Sequence, residues 1–228
     1  MKFIIGNWKM NGNMEQRDAM LTELSTVKTK NKVVLCLPFT LLNCDGRDIA
    51  IGAQNVSEHD NGAYTGDISA AMLRDMGAKY VIVGHSERRL YHNETNETTR
   101  AKATTAIRAG LIPIICVGET MEEKNAGHTT AVIKKMLLDS IPDFGEYIVA
   151  YEPRWAIGSG LTPTTNEIVT AVKTVFDTLP TPVPILYGGS VTKDNAHDII
   201  SIPYVDGLLI GGASLKSETF IPIIKSID

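Results

Sequence analysis

The stretch AYEPRWAIGSG, residues 150–160, places a carboxylate at the end of a short apolar run. Residues 148–150 form a run typical of a buried strand, and Glu152 follows it at the start of a loop rich in Pro, Trp and Gly. A lone Glu among 26 acidic residues is most often a solvated surface group. Trp155 and Ile157, however, are unusually apolar for a loop that stays in solvent, which indicates a loop that closes over a ligand. We therefore interpret Glu152 as a candidate base at a strand exit.

Similar apolar runs recur along the whole chain. There are eight of them, at residues 3–5, 33–37, 49–53, 80–83, 112–117, 148–151, 183–187 and 208–210. They are continuously apolar rather than alternating, which indicates strands buried on both faces. Helical patterns separate several of these runs, so the alternation predicts an α/β protein with a closed parallel (β/α)8 barrel.

The helical patterns have apolar residues on one face at a spacing near 3.6 residues. The clearest pattern comprises Ile168, Val172, Val175, Phe176 and Leu179, and Thr164 with Glu167 forms a plausible capping box before it. Two further faces comprise Met20, Leu21, Leu24 and Val27, and Ile133, Met136, Leu137 and Ile141.

An open doubly wound sheet is the structural alternative to the barrel. It is disfavoured because no G-x-G-x-x-G pattern follows the first run and because polar residues follow many runs rather than one switch point. No linker or charge block interrupts the chain, so we expect residues 1–228 to form a single domain. The connections at residues 40–48 and 179–182 are short, and the second βα unit in particular should be shortened.

Composition indicates a soluble globular protein that acts on a small ligand. The net charge of -4 and a pI near 5.8 provide no basic field for nucleic acid or anionic lipid, so an anion would need a local site. No stretch approaches the roughly 18 apolar residues of a membrane span, and the first apolar run is too short for a signal peptide. We expect a cytoplasmic protein. Cys36, Cys44 and Cys116 fit neither a disulfide framework nor a zinc site, which predicts reduced thiols.

Polar residues follow the first and fourth runs. Asn7 and Lys9 supply an amide and an ammonium at the predicted barrel mouth, where such barrels keep their active sites. His85 precedes SERR at residues 86–89, which is typical of a first helical turn. The positive field of a helix start disfavours imidazolium, so we expect a neutral His85 that donates a hydrogen bond.

Glycine-containing turns follow the last three runs. They lie at residues 158–160, 188–190 and 211–212. One glycine pair is a weak signal, but three such turns after neighbouring strands are typical of a backbone N–H cradle for a phosphate group.

Eight motifs give the chain a resemblance to the triosephosphate isomerase family over nearly its whole length. They are GNWKMNG from Gly6, GAQNVS from Gly52, NGAYTGDIS from Asn61, VIVGHSERR from Val81, CVGET from Cys116, AYEPRWAIGSG from Ala150, LYGGSV from Leu186 and GLLIGGASL from Gly207. The resemblance implies a TIM barrel that interconverts glyceraldehyde 3-phosphate and dihydroxyacetone phosphate in glycolysis and gluconeogenesis. It implies no cofactor and no metal.

The resemblance also implies roles for individual residues. Glu152 would abstract the proton, His85 would polarise the oxygens, and Lys9 with Asn7 would stabilise the enediolate. Backbone groups would hold the phosphate at Gly158, Ser190, Gly211 and Gly212, under a lid formed by the loop after Glu152. Glu87 and Glu119 would support Lys9 and Trp155, and Thr65 would reach the neighbouring subunit of a homodimer joined through residues 61–69.

Arg154 stands where the family usually has an aliphatic residue, and residues 161–163 read Leu-Thr-Pro instead of the common Lys-Thr-Ala. Because a guanidinium is costly to bury, we expect Arg154 to need an acidic partner. Two functional alternatives are another phosphosugar isomerase on the same barrel and a non-catalytic phosphosugar-binding module. The second is disfavoured because a binder has no need of the base at Glu152.

Overall fold

A computed structural model describes residues 1–43, 49–157 and 161–228. Eight parallel strands in these residues form a closed barrel in which each strand pairs with the next and the last pairs with the first. The strands are β1 (Phe3–Asn7), β2 (Lys32–Leu37), β3 (Ala50–Ala53), β4 (Tyr80–Val83), β5 (Ile112–Val117), β6 (Ile148–Tyr151), β7 (Ile185–Tyr187) and β8 (Gly207–Ile210). The predicted closed (β/α)8 barrel is confirmed.

Helices lie between the strands and outside the barrel. Within the described residues they are α1 (Met14–Leu24), α2 (Ala70–Asp75), α3 (Ser86–His92), α4 (Asn96–Arg108), α5 (Met121–Asn125), α6 (Thr129–Ser140), α7 (Thr165–Thr178), α8 (Ala196–Ile200) and α9 (Ser217–Ser226). The predicted capping box at Thr164 and Glu167 is present at the start of α7. Across residues 1–43, 49–157 and 161–228, no helix has the length and apolar character that a membrane crossing needs.

The connection after β2 is short, as the sequence predicts. Its described part contains a single 3-10 turn, Phe39–Leu41, and residues 44–48 lie outside the described ranges. Strand β7 is shorter than predicted, because it begins at Ile185 and not at Val183. Prolines flank Val183 on both sides, and a proline has no N–H group to donate to a strand ladder.

The barrel explains why the strands are continuously apolar. Side chains alternate along each strand between the barrel interior and the layer under the helices, and both locations are buried. The interior is filled by Ile5, Val34, Cys36, Ala50, Tyr80, Ile82, Ile114, Cys116, Ile148, Ala150, Leu186 and Leu209.

The predicted helix faces are confirmed for most of their residues, but Val27 and Leu179 lie beyond the ends of α1 and α7 and are only partly buried, and Ile141 follows α6. In α7, Ile168, Val172 and Val175 are buried, but Phe176 is 39% exposed and stacks on Tyr204 with ring centroids 4.2 Å apart. Phe176 follows Val175 by about 100° around the helix, which places its ring away from the most buried side of α7 and against Tyr204.

Cys36 and Cys116 are free and buried, in agreement with the predicted reduced thiols, whereas Cys44 lies outside the described residues.

Candidate active site

A cavity of about 380 Å³ opens at the carboxyl ends of the strands, where parallel strands all terminate at one edge. Most of the predicted site residues line this cavity, namely Asn7, Lys9, His85, Glu152, Ser190, Gly211 and Gly212. Leu209 and Val191 add apolar wall that the sequence reasoning did not identify. The predicted phosphate residue Gly158 lies outside the described residues.

Glu152 is held in place by its own backbone and by two close glycines. Its N–H group donates to the carbonyl of Val117 at 2.8 Å. A Cβ atom on Gly118 would lie 1.8 Å from the Glu152 carbonyl oxygen, and one on Gly188 would lie 2.8 Å from Glu152 Cγ. Both positions therefore require glycine if the Glu152 side chain is to keep its place at the cavity.

Glu152 is 3% exposed, and its carboxylate meets two nitrogen donors as well as the Cys116 thiol. Oε1 lies 3.1 Å from His85 Nε2, and Oε2 accepts a 3.4 Å hydrogen bond from the Ser86 N–H group. The Ser86 contact is a further part of the site that sequence reasoning missed, because a backbone donor leaves no signature in residue type.

His85 caps the N-terminus of α3, as the sequence predicts. Its Nδ1 accepts a hydrogen bond of 3.2 Å from the Glu87 N–H group. A nitrogen that accepts a hydrogen bond carries no proton, so the imidazole proton lies on Nε2 and faces Glu152 and the cavity.

The direction of the His85 pKa shift differs from the prediction. Burial lowers the pKa of His85, but the carboxylates of Glu152 and Glu87 outweigh burial and raise it above its ordinary value. Burial likewise raises the pKa of Glu152, but His85, the Ser86 N–H group and the Cys116 thiol outweigh burial and lower it. The prediction considered only the helix start, and it was therefore wrong in the direction of the His85 pKa shift.

Lys9 and Asn7 form the opposite side of the cavity. The Lys9 backbone has φ of +52° and is held in this left-handed conformation by its N–H group, which donates to Asn7 Oδ1 at 3.0 Å. The Lys9 ammonium lies 2.7 Å from Glu87 Oε1. Glu87 thus contacts both Lys9 and His85, which agrees with its expected supporting position.

The glycine turns after β7 and β8 lie at the other end of the cavity. A Cβ atom on Gly189 would lie 2.1 Å from the Tyr187 hydroxyl oxygen, so this turn also requires glycine. Among the described residues, the backbone N–H groups of Gly189, Ser190 and Gly212 find no acceptor. These donors are available to an anion in the cavity.

Glu119 lies beside the cavity rather than in its lining. Its Oε1 accepts hydrogen bonds from Trp155 Nε1 at 2.9 Å and from the Tyr151 hydroxyl at 3.2 Å. The expected contact between Glu119 and Trp155 is therefore present. Hydrogen bonds at the start of α5 lower the pKa of Glu122, and the positive charge of Arg154 adds to this effect. A direct acidic partner for Arg154 stays a prediction.

Thr65 is not brought to the cavity of its own chain. It is exposed, as are residues 61–67 around it. Its expected role across a subunit boundary therefore stays a prediction, as do the roles of all the residues above and the expected absence of a cofactor and a metal.

The family model described as "Triosephosphate isomerase" matches residues 2–227. The triosephosphate isomerase of Rhodopseudomonas palustris (strain BisA53) is 45% identical, covering 96% of this chain and 95% of the relative. That of Herminiimonas arsenicoxydans is 43% identical, covering 99% and 98%. The crystal structure of triosephosphate isomerase from Bartonella henselae superposes with a TM-score of 0.90 at 38% identity, covering 99% of this chain and 98% of that chain. These matches extend over almost all of the chain, which therefore belongs to the triosephosphate isomerase family.

Proposed function

We propose that this chain interconverts glyceraldehyde 3-phosphate and dihydroxyacetone phosphate by proton transfer, as a step of glycolysis and gluconeogenesis. The observation that carries the proposal is the buried carboxylate of Glu152 facing the same cavity as His85 Nε2, Lys9 and the glycine turns. This set provides a base, a hydrogen-bond donor, a cation and an anion cradle around a space of triose size.

In the proposed reaction, Glu152 removes the proton from the carbon next to the substrate carbonyl. The electron pair of that C–H bond forms the C=C bond of an enediolate, and the carbonyl oxygen takes up negative charge. His85 donates its Nε2 hydrogen bond to this oxygen and moves a proton between the two substrate oxygens. Glu152 then returns its proton to the neighbouring carbon, which completes the isomerisation without net oxidation. A carboxylate base beside a neutral histidine is the established arrangement in triosephosphate isomerases.

Protonation of Glu152 changes the charge that His85 experiences. The ionised carboxylate at 3.1 Å raises the pKa of His85, and this attraction disappears once Glu152 has taken up the substrate proton. The Glu87 N–H bond to Nδ1 remains and opposes a second proton on the ring. His85 then acts as a neutral donor during the life of the enediolate.

Lys9 and Asn7 would stabilise the negative charge of the enediolate. Positioned acid-base groups contribute roughly 10² to 10⁴ in rate, so electrostatic stabilisation must supply much of the remainder. Glu87 holds the Lys9 ammonium at 2.7 Å, which orders this cation before the substrate arrives.

The substrate phosphate would bind to the unpaired N–H groups at Ser190 and Gly212, together with the backbone of Gly211 and, outside the described residues, of Gly158. Backbone donors suit a chain of net charge -4 because they attract an anion without a broad basic surface. Binding energy from this non-reacting group can hold the carbon centre against Glu152.

A coupled assay of glyceraldehyde 3-phosphate conversion tests the proposal. We expect Glu152→Gln to lower kcat by at least about 10³-fold while inorganic phosphate still binds the cavity, since base and cradle lie on different strands. The matched control Glu97→Gln, on the exposed side of α4, should keep full activity. Equal losses of phosphate binding and activity in Glu152→Gln would indicate a structural role instead. Activity only on other phosphosugars would instead indicate another phosphosugar isomerase. Phosphate binding without turnover would indicate a non-catalytic binding module.

We further propose one domain that works as a cytoplasmic homodimer. Residues 61–67 are exposed and include Gly62 and Gly66 at positive φ, which supports a projecting loop that inserts Thr65 into a second copy. The free buried thiols Cys36 and Cys116 support a reducing compartment. Sedimentation at micromolar concentration tests the dimer, and a fully active monomer would refute it.

A further inference from the structure

Lys124 on α5 contacts side chains on two other elements that lie on either side of residues 158–160. Its ammonium lies 3.9 Å from the centroid of the Trp155 ring, three residues after Glu152. The same Nζ lies 2.9 Å from Oε1 of Glu167 in the first turn of α7. The Lys124 ammonium therefore links Trp155, close to the proposed base, to Glu167 at the start of α7.

The Trp155 ring is held by its edge as well as by its face. The indole N–H donates to Glu119, which also accepts the hydroxyl of Tyr151, the residue before Glu152. A cation over the ring face is attracted by the negative potential of the π-system. Glu119 thereby links the Trp155 ring to the side chain of Tyr151, the residue that precedes Glu152.

Glu167 uses its two carboxylate oxygens for two different purposes. Oε2 accepts hydrogen bonds from the N–H group and the hydroxyl of Thr164, at 2.7 and 2.9 Å, and so completes the capping box of α7. Oε1 is left for Lys124. The hydrogen bond from Lys124 is the largest contribution that lowers the pKa of Glu167, and the Thr164 N–H group adds to it.

We propose that Lys124 is a positioning residue that couples the orientation of Trp155 to the first turn of α7, and thereby holds the chain next to Glu152 for the reaction. The kinetic part of this inference rests on the proposed function, whereas the structural part rests on the contacts alone. The side chains of Lys124 and Glu167 are 27% and 38% exposed, so their ion pair alone contributes little. The joint contact with the ring distinguishes Lys124 from an ordinary surface lysine.

The structural part is tested by acrylamide quenching of tryptophan fluorescence. Trp8 is 1% exposed, so Trp155 supplies the quenchable emission. We expect Lys124→Met to raise the quenching constant by about twofold, because the ring loses the cation that covers its face. The control Lys173→Met removes a comparable ion pair on α7, with Asp177, and should leave quenching unchanged. Unchanged quenching in Lys124→Met would overturn the inference.

The kinetic part is tested by a double-mutant cycle between Lys124 and Glu167. Glu167→Gln keeps the capping box, because Gln serves at this position, but removes the charge that Lys124 meets. We expect it to lower kcat/KM for glyceraldehyde 3-phosphate by roughly 3- to 10-fold when Lys124 is present, and by less than about 1.5-fold in the Lys124→Met background. Lys124→Arg should retain most of the activity.

Independent, additive effects of the two substitutions would overturn the inference, as would an increase in kcat/KM on Lys124→Met. If the unsubstituted chain does not isomerise triose phosphates, the proposed function fails, and the quenching experiment still decides whether Lys124 positions Trp155.

Discussion

Gly118 does not line the cavity, but Gly118→Ala should displace the proposed base, Glu152. The added Cβ would lie 1.8 Å from the carbonyl oxygen of Glu152 and 2.5 Å from its carbonyl carbon. Moving that oxygen out to 3.0 Å, below which real Cβ contacts are essentially absent, needs a shift of about 1.2 Å. Backbone atoms cannot move aside as a flexible side chain can, so the end of β6 must shift with Glu152.

The expected consequence is a loss of rate rather than of ligand binding. A misplacement of about 1 Å at a reacting group costs about 10²-fold, so we expect kcat to fall by about 100-fold. Overpacking of this kind also costs about 1–3 kcal/mol, which lowers the Tm of a chain of this size by about 2–4 °C per kcal/mol. We expect inorganic phosphate to inhibit the variant and the unsubstituted chain equally, because the turns after β7 and β8 are untouched.

Gly110→Ala is the matched control, since Gly110 precedes the opposite end of the same strand, β5. It has φ of +81° and open space where a Cβ would lie, so it should lose some stability from backbone strain but keep its kcat. The assay is initial-rate kinetics at a temperature well below both melting transitions. A kcat within threefold of the unsubstituted value in Gly118→Ala would refute the reasoning, as would an equal loss in Gly110→Ala.

Three further predictions concern charged groups. Glu94→Gln should destabilise the fold by about 3–5 kcal/mol in denaturant unfolding, because it leaves the buried Lys102 ammonium without its carboxylate partner. The exposed Glu97→Gln should have little effect. Burial raises the pKa of Glu94, but Lys102 and Arg88 outweigh burial and lower it. The stability that ionised Glu94 contributes is therefore present above its unfolded pKa near 4.5, and it should be lost as the pH falls through the lower folded pKa. The kcat/KM for phosphate-free glyceraldehyde should fall in two steps on acidification. The first step comes as His85 takes up a proton, because Glu152 and Glu87 raise its pKa despite burial. The second comes below the ordinary carboxyl pKa, because His85 and its neighbours lower the pKa of Glu152 despite burial; a single acid limb at the ordinary carboxyl pKa would contradict this. Arg154→Val should change kcat and KM together for the phosphorylated substrate and leave the phosphate-free reaction nearly unchanged; equal changes in both reactions would place Arg154 at the catalytic groups.

The sequence alone determined the number and order of the strands and most of the residues that line the cavity. Both are local properties: a continuous apolar run of a few residues identifies a doubly buried strand, and a polar residue directly after such a run lies at its carboxyl end. Once the barrel closes, all those ends meet at one edge. Asn7, His85 and Glu152 could therefore be assigned to one site from their positions at or just beyond the carboxyl ends of β1, β4 and β6.

Tertiary structure decided the properties that depend on which groups come close in space. The His85 pKa shifts upward because Glu152, 67 residues further along the chain, supplies a carboxylate at 3.1 Å, which no helix-start argument includes. Gly118 is required because β5 and β6 lie side by side and bring the Glu152 carbonyl against it. Lys124 meets Trp155 and Glu167 only because α5, the end of β6 and the start of α7 converge. Electrostatic and steric energies depend on these distances, and residue order does not specify them until the chain has folded.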